Sequence, residues 1–252
     1  MGNVGFALLL STLAGLSTTI GSILGIAVRN PGPRFMTLTL GFSAGVMIHV
    51  SFVELLQGGV NAVGFMPAHT AFFLGMLVMF AIDALIPHDY LGQEEHSGTG
   101  MKSSSLLKTG MFVALGIAIH NFPEGMAAFA GALKEPSLGI AIAVAIAIHN
   151  IPEGLAVAAP IYAATKSRRR AFFYSFLSGV AEPVGAGMAA LILMPVLSPA
   201  ILGYLLASVG GIMVFIALDE LVPVAHSFGH EHLAIVGVII GMIIMSVSLW
   251  LL

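Results

Sequence analysis

Two copies of one short motif hold the residues whose types and spacing could do chemistry. Residues 117–130, IAIHNFPEGMAAFA, recur at 146–159 as IAIHNIPEGLAVAA, with ten of fourteen positions identical. On a helix, His120, Asn121 and Glu124 share one face because they are spaced three and four residues apart. Imidazole, amide and carboxylate together suit borderline divalent ions such as Zn(II), Fe(II), Mn(II) and Co(II). The motif therefore predicts a metal site.

The glutamate of each copy lies between an imidazole and an amide. Glu124 can serve a ligand set on the His120 side and another on the Asn121 side, and the second copy repeats this order with His149, Asn150 and Glu153. A carboxylate shared in this way bridges two metal ions. We therefore predict a binuclear site.

Prolines and glycines accompany these ligands. Pro123 and Pro152 each remove a backbone donor, which predicts a bend and a freed carbonyl oxygen. Gly125 and Gly154 would let a neighbouring helix approach. Glu182, in SGVAEPVGAG, again joins an acid to a proline and glycines. It is a further candidate ligand, with a buried protonated carboxyl group as the alternative.

The elements that must position these residues are membrane-spanning helices. Of the 252 residues, 58% are hydrophobic and 8% are charged, which excludes an ordinary soluble protein. Continuous apolar windows predict an all-α integral membrane protein with eight transmembrane helices in one domain, 1–252, and a polar loop at about 89–108. The windows fall at about 4–28, 35–57, 70–88, 109–133, 138–163, 171–195, 199–223 and 233–252. Zero Cys excludes thiolate ligands.

The basic residues predict the orientation of the chain. Eight of the nine Lys and Arg residues lie in odd-numbered connections, and only Lys134 lies in an even-numbered one. By the positive-inside rule the odd connections are cytoplasmic and both termini are outside. Consecutive spans are antiparallel, so the two motif copies should meet at the membrane midplane about a pseudo-two-fold axis, where transporters bind substrate.

The acidic residues favour a cation pathway. Seven of the twelve lie in or at the ends of predicted spans, where no Lys or Arg lies. A carboxylate at the bilayer centre costs roughly 2.5 to 3.5 kcal/mol on insertion scales, so protons, imidazolium or bound cations must supply the countercharge. The seven are Glu54, Asp83, Glu124, Glu153, Glu182, Asp219 and Glu220.

Other patterns leave alternatives open. Residues 44–55 echo residues 210–221, which is either a coincidence or an inverted repeat of the first and last three helices. Several acids and histidines could line the way in or out, or could lie in the headgroup region, and a histidine cluster could collect metal or form a solvated loop. These residues are His49, Glu54, Asp83, Asp219, Glu220, His226, His230, Glu231 and His232.

The duplicated HNFPEG and HNIPEG, on the fourth and fifth of eight helices, resemble the signature of the ZIP family of divalent metal transporters. The stretches LGFSAGVMIHVSFVEL, NIPEGLAVAAPIYAAT and VPVAH extend the resemblance over nearly the whole chain. It implies uptake of zinc, and often of iron, manganese and cobalt, across a bacterial inner membrane. It also implies a central helix pair, 4 and 5, flanked by two inverted three-helix bundles.

The resemblance also implies two ligand sets and no catalytic cofactor. The first set would be Glu124, His149 and Glu153, with His120 and Met47 adjoining. The second would be Asn121, Glu124, Asn150, Glu153 and Glu182. In one departure, the third connection holds only His88 and His96 where many family members carry a long His-rich loop.

Two other functions are less favoured. An intramembrane metalloenzyme using zinc-bound water would need a general base, commonly in H-E-x-x-H, and that motif is absent from the sequence. A proton-coupled carrier of an organic substrate would normally show a larger polar pocket or an intramembrane Lys or Arg. We expect no enzyme activity and no nucleic-acid partner. Small-xxx-small glycine pairs, including Gly21/Gly25, Gly41/Gly45 and Gly237/Gly241, supply faces for close helix packing, and exposed faces of this kind would allow a homodimer.

Overall fold

The computed structural model describes residues 4–28, 31–85, 103–193 and 198–251, which form helices with no strand among them. The helices are α1 (Val4–Ala27), α2 (Pro33–Val63), α3 (Phe65–Leu85), α4 (Ser103–Lys134), α5 (Pro136–Thr165), α6 (Arg168–Met188, continued by Ala189–Leu193), α7 (Pro199–Ser227) and α8 (Glu231–Leu251). The prediction of an all-α protein is confirmed.

Seven of these helices are long and apolar enough to cross a membrane, and α6 is the exception within the described residues. Its sequence begins with three arginines and continues through Ser175, Ser178 and Glu182, all three of which are buried. The lower hydropathy of α6 thus reflects polar side chains that face the protein interior. Large apolar side chains such as Phe73, Leu77 and Ile243 are exposed on other helices, as expected where lipid is the solvent. The chain is a multi-pass membrane protein.

Local sequence explains where several helices begin and end. Pro33, Pro136 and Pro199 occupy first-turn positions, where the missing N–H loses no helical hydrogen bond. The Ser198 hydroxyl accepts a hydrogen bond from the Ile201 N–H at 3.2 Å and caps α7. At the other end of α5 the chain leaves the helix at Lys166, whose φ of 54° is left-handed.

Hydropathy located the spans better than it located the helix ends. The helix α4 begins at Ser103, so the last six residues of the loop expected at about 89–108 are helical. Its sequence begins with three serines, since a helix can begin in the aqueous boundary before the membrane core. Positions 89–102 of that loop, with His96, lie outside the described residues, as does His88.

The helices pack as two groups of four. The pair α4 and α5 packs together and against α1 and α6, while α2 packs on α8 and α3 on α7. The groups meet where α5 touches α2 and α4 touches α7. Of each expected three-helix bundle, one helix (α1 or α6) therefore packs against the central pair, and the other two helices lie in the second group.

The glycine pairs pack helices within the chain. A Cβ on Gly21 would lie 1.8 Å from the Ile151 carbonyl oxygen, and one on Gly45 would lie 2.1 Å from that of Val238. Contacts this close are possible only without a side chain. They join α1 to α5 and α2 to α8, so these faces are not accessible to a second copy. The prediction that these glycines serve close helix packing is confirmed, and a homodimer would have to use other surfaces.

Two of the three π-helical turns in the described residues support the inverted repeat over coincidence. One lies at Ser51–Leu56 in α2 and another at Ala217–Leu221 in α7, while the third, Ala189–Leu193, ends α6. The echo between 44–55 and 210–221 aligns Ser51 with Ala217, so both turns begin at the same position of the repeat. Such turns are rare and often occur at functional sites.

Candidate metal centre

All seven candidate ligands lie in the interior, near the middle of α4, α5 and α6. None is more than 1% exposed. They are His120, Asn121, Glu124, His149, Asn150, Glu153 and Glu182. Both helices continue through their prolines, Pro123 and Pro152, without interruption. The two motif copies therefore meet inside the first group of helices.

The two copies are joined by crossed pairs. His120 Nε2 lies 2.9 Å from Glu153 Oε1, and His149 Nε2 lies 3.3 Å from Glu124 Oε2. Each imidazole thus contacts the glutamate of the other copy. Spacing within one helix could not reveal this, because it carries no information on distances between helices.

The asparagine amides are held by backbone carbonyls. Asn121 Nδ2 donates to the Ser178 carbonyl oxygen at 3.1 Å, and Asn150 Nδ2 donates to that of Ala14 at 3.0 Å. Asn150 Nδ2 also donates to Glu182 Oε2 at 2.8 Å. With each amide nitrogen engaged, the Oδ1 atoms of both asparagines have no hydrogen-bond partner in the described protein.

Each of the seven residues keeps one buried side-chain atom without a hydrogen-bond partner in the described protein. Leaving such an atom unsatisfied costs about 1 to 3 kcal/mol, and seven in one place call for a common partner. Five are oxygens, and the two imidazole nitrogens carry lone pairs when Nε2 holds the proton. The atoms are His120 Nδ1, Asn121 Oδ1, Glu124 Oε1, His149 Nδ1, Asn150 Oδ1, Glu153 Oε2 and Glu182 Oε1.

No basic side chain in the described residues pairs with these carboxylates. Glu124 and Glu153 each contact the Nε2 atom of a histidine, and Glu182 accepts from an amide. The anionic charge of the cluster therefore has no fixed cation beside it. A bound cation would both satisfy the lone pairs and supply the countercharge.

Glycines allow the neighbouring helices to reach the cluster, as expected. A Cβ on Gly125 would lie 1.9 Å from the Glu182 carbonyl oxygen, and one on Gly154 would lie 1.9 Å from that of Thr18. The first contact brings α6, and with it the Glu182 side chain, against α4. The second brings α1 against α5.

Glu54 and one of the crossed pairs line the same cavity. This cavity has a volume of about 80 Å³, and the pair is that of Glu124 and His149. A second cavity, of about 260 Å³, adjoins it and is also lined by Glu54 and Ile142. The Glu54 Oε2 atom is buried without a hydrogen-bond partner in the described protein. Of the two interpretations offered for Glu54, the position fits the lining of a pathway.

Sequence reasoning did not join Asp83 to Asp219 and Glu220. Their carboxylate oxygens lie within 4.8 Å of one another, and in the described part of the chain they form the only such group of three. The histidines and glutamates of the two motif copies form the two crossed pairs instead. The available signal was the position of all three acids near the ends of spans 3 and 7, which run in the same direction.

The remaining candidate residues lie away from the seven buried ligands or have other contacts. His49 Nε2 lies 3.0 Å from Ser246 Oγ on α8, and Met47 is fully buried. His230, Glu231 and His232 line a surface cavity of about 680 Å³ with Arg34. This places these three residues at the α2–α8 end that carries Arg34, away from the seven candidate ligands.

Comparison with known proteins identifies the family. The family described as ZIP Zinc transporter matches residues 84–249. A zinc transporter ZupT of Chlorobium phaeovibrioides is 54% identical, over 98% of this chain and 97% of its own length. Those of Chlorobium luteolum, at 53% over the whole of both chains, and of Clostridium perfringens, at 44% over 100% of this chain and 97% of its own length, are also similar. This chain therefore belongs to the ZIP family and is a membrane transporter of divalent metal ions, not an enzyme.

Proposed function

We propose that this chain carries Zn(II) into the cytoplasm across a bacterial inner membrane, and that it also accepts Fe(II), Mn(II) and Co(II). The ions pass through a binuclear site at the midplane, formed by the seven residues of the candidate metal centre. The observation that carries this proposal is the set of seven buried, unpartnered ligand atoms. The names of the relatives support zinc as the main substrate.

The ligand chemistry supports passage rather than permanent binding. The site combines imidazole, amide and carboxylate groups, and the chain has no Cys. Four thiolates would hold zinc in a closed site, whereas mixed N and O ligands exchange with water. An ion that enters between His120 and Glu153 breaks their 2.9 Å contact, so both side chains can then bind the ion. Ions then move by exchange of ligands, and no catalytic cofactor is needed.

Access to the site runs past Glu54. The two cavities that it lines lead to Glu124 and His149. A carboxylate at this point attracts a cation into an otherwise apolar passage, since its neighbours there include Val53, Ala141 and Leu249. Glu54 thus passes the ion to the crossed pair of Glu124 and His149.

The orientation follows from the basic residues. With the odd-numbered connections in the cytoplasm, both termini are outside and Glu54 lies toward the outer half of α2. Residues 1–252 act as one transport unit. Each chain contains all seven ligands, so a homodimer, if formed, would have to use surfaces other than the packed glycine faces.

The test is zinc flux into proteoliposomes that contain a zinc-sensitive dye. Glu153→Gln removes the charge of a midplane ligand, and Glu135→Gln removes a carboxylate from the exposed start of α5. We expect saturable flux in the wild type and in Glu135→Gln, and none in Glu153→Gln. Addition of Fe(II), Mn(II) or Co(II) should compete. Undiminished flux through a folded Glu153→Gln variant would overturn the proposal.

A further inference from the structure

The contacts around the metal centre obey a pseudo-two-fold axis that extends beyond the duplicated motif. Asn150 Nδ2 binds the Ala14 carbonyl oxygen at 3.0 Å, as Asn121 Nδ2 binds that of Ser178 at 3.1 Å. The axis exchanges α4 with α5 at an offset of 29 residues, and it exchanges α1 with α6 at an offset of 164. A side chain on α1 therefore has a defined counterpart on α6.

The close glycine contacts follow the same two offsets. A Cβ on Gly21 would lie 1.8 Å from the Ile151 carbonyl oxygen, and one on Gly185 would lie 1.9 Å from that of Phe122. A Cβ on Gly154 would lie 1.9 Å from the Thr18 carbonyl oxygen, and one on Gly125 would lie 1.9 Å from that of Glu182. A Cβ on Gly15 would lie 2.6 Å from the Gly179 carbonyl oxygen, and one on Gly179 would lie 2.6 Å from that of Gly15. Distances that agree in pairs show that the backbones of the four helices are symmetric here.

Under this axis Thr18 occupies the place of Glu182. A Cβ on Gly179 would lie 3.0 Å from the Thr18 Cβ, and a Cβ on Gly15 would lie 3.0 Å from the Glu182 Cβ. Both side chains have no exposed surface. The two helices thus present different chemical groups at equivalent positions of one site.

The Thr18 hydroxyl has no hydrogen-bond partner in the described protein, although it is fully buried. A helical threonine often binds the carbonyl four residues earlier. Here the Ala14 carbonyl oxygen already accepts from Ser17 Oγ at 2.6 Å and from Asn150 Nδ2. The counterpart of the Asn150–Glu182 hydrogen bond would run from Asn121 Nδ2 to Thr18 Oγ1, and it is also missing because Thr18 Oγ1 has no partner.

We propose that Thr18 is an eighth residue of the metal site. Its hydroxyl oxygen binds a transported divalent ion, or the water on that ion, on the Asn121 side, as Glu182 does on the Asn150 side. This rests on the proposed midplane site and adds a helix, α1, that its ligand set did not include. The site is then symmetric in shape and asymmetric in charge, with an acid on one arm and a neutral hydroxyl group on the other.

The chemistry of a hydroxyl ligand makes a selective effect testable. A neutral oxygen donor contributes more to the binding of Mn(II), which prefers oxygen ligands, than to that of Zn(II), which also takes nitrogen readily. Thr18→Val removes the oxygen and keeps the branched shape. Thr18→Ser restores the oxygen. Thr19→Val is the matched control, because Thr19 Oγ1 binds the Leu16 carbonyl oxygen of its own helix at 2.6 Å.

The measurement is calorimetric titration of the full-length protein in nanodiscs with Zn(II) and, separately, with Mn(II). We expect Thr18→Val to weaken Mn(II) binding about tenfold and to weaken Zn(II) binding less. Thr18→Ser and Thr19→Val should match the wild type. Thr18→Ala repeats the test with a smaller side chain, should valine disturb the packing.

Two results overturn the proposal: wild-type affinities in Thr18→Val, or an equal loss for both metals, which indicates general loosening. Glu124→Gln separates this failure from that of the midplane site. If Glu124→Gln abolishes zinc binding and Thr18→Val changes nothing, only the role of Thr18 is refuted. If Glu124→Gln binds zinc as the wild type does, the midplane site itself is refuted.

Discussion

A single methyl group at Gly125 should push α6, and with it Glu182, away from the other residues of the metal centre. The Cβ of Gly125→Ala would lie 1.9 Å from the Glu182 carbonyl oxygen, so α6 must retreat by about 1.5 Å to restore ordinary contact. Overpacking of this kind costs roughly 1 to 3 kcal/mol. The movement also stretches the 2.8 Å hydrogen bond from Asn150 to Glu182. Because a supporting contact of a metal site contributes about 10- to 100-fold in affinity, zinc should bind that much more weakly.

Gly187→Ala is the control for Gly125→Ala. Gly187 lies in the same helix as Glu182, and a Cβ there would meet nothing within 4 Å. Replacing glycine by alanine in an open helical position stabilises by up to about 1 kcal/mol. Thermal unfolding and zinc titration of both variants in one detergent give the comparison. The reasoning is refuted if Gly125→Ala unfolds at or above the temperature of Gly187→Ala and binds zinc equally well.

Three further predictions concern the route, the ions and the packing. Glu54→Gln should slow zinc flux into proteoliposomes while equilibrium zinc binding stays unchanged, because Glu54 lines the path and is not one of the seven ligands; weakened equilibrium binding would place it in the site instead. Zinc at 100 times its dissociation constant should stabilise the wild type by about 2.7 kcal/mol, measured as a rise in melting temperature that chelation reverses and that Glu153→Gln lacks. Gly45→Ala should lower the melting temperature more than Gly58→Ala. A Cβ on Gly45 would lie 2.1 Å from the Val238 carbonyl oxygen, whereas a Cβ on Gly58 would come no closer than 3.6 Å to a side chain. Equal melting temperatures would contradict the packing of α2 on α8.

Where the signal is local, the sequence predicted the helices well and singled out residues that the structure buries together. Apolar windows located the spans, and the repeated motif drew attention to six of the seven residues now found buried together. The seventh, Glu182, stood out because a carboxyl group beside proline and glycines is unusual in a membrane span. These signals depend on residue type and spacing along one helix.

Other features depend on distances between helices and left little trace in the sequence. The crossed His120–Glu153 and His149–Glu124 pairs follow from the way α4 meets α5. Thr18 is one of several hydroxyl residues in α1, and only its equivalence to Glu182 distinguishes it. The start of α4 at Ser103 was missed because hydropathy marks the membrane boundary and not the end of a helix.

Locating the bound metal by anomalous diffraction at the zinc edge tests the central claim most directly. The account predicts two zinc ions among α4, α5 and α6, at about 2.0 to 2.2 Å from nitrogen or oxygen atoms of the seven residues. The Asp83, Asp219 and Glu220 group is the alternative that the structure offers, with its carboxylates within 4.8 Å of one another. Zinc bound there, with none between His120, His149 and the two motif glutamates, would contradict the account.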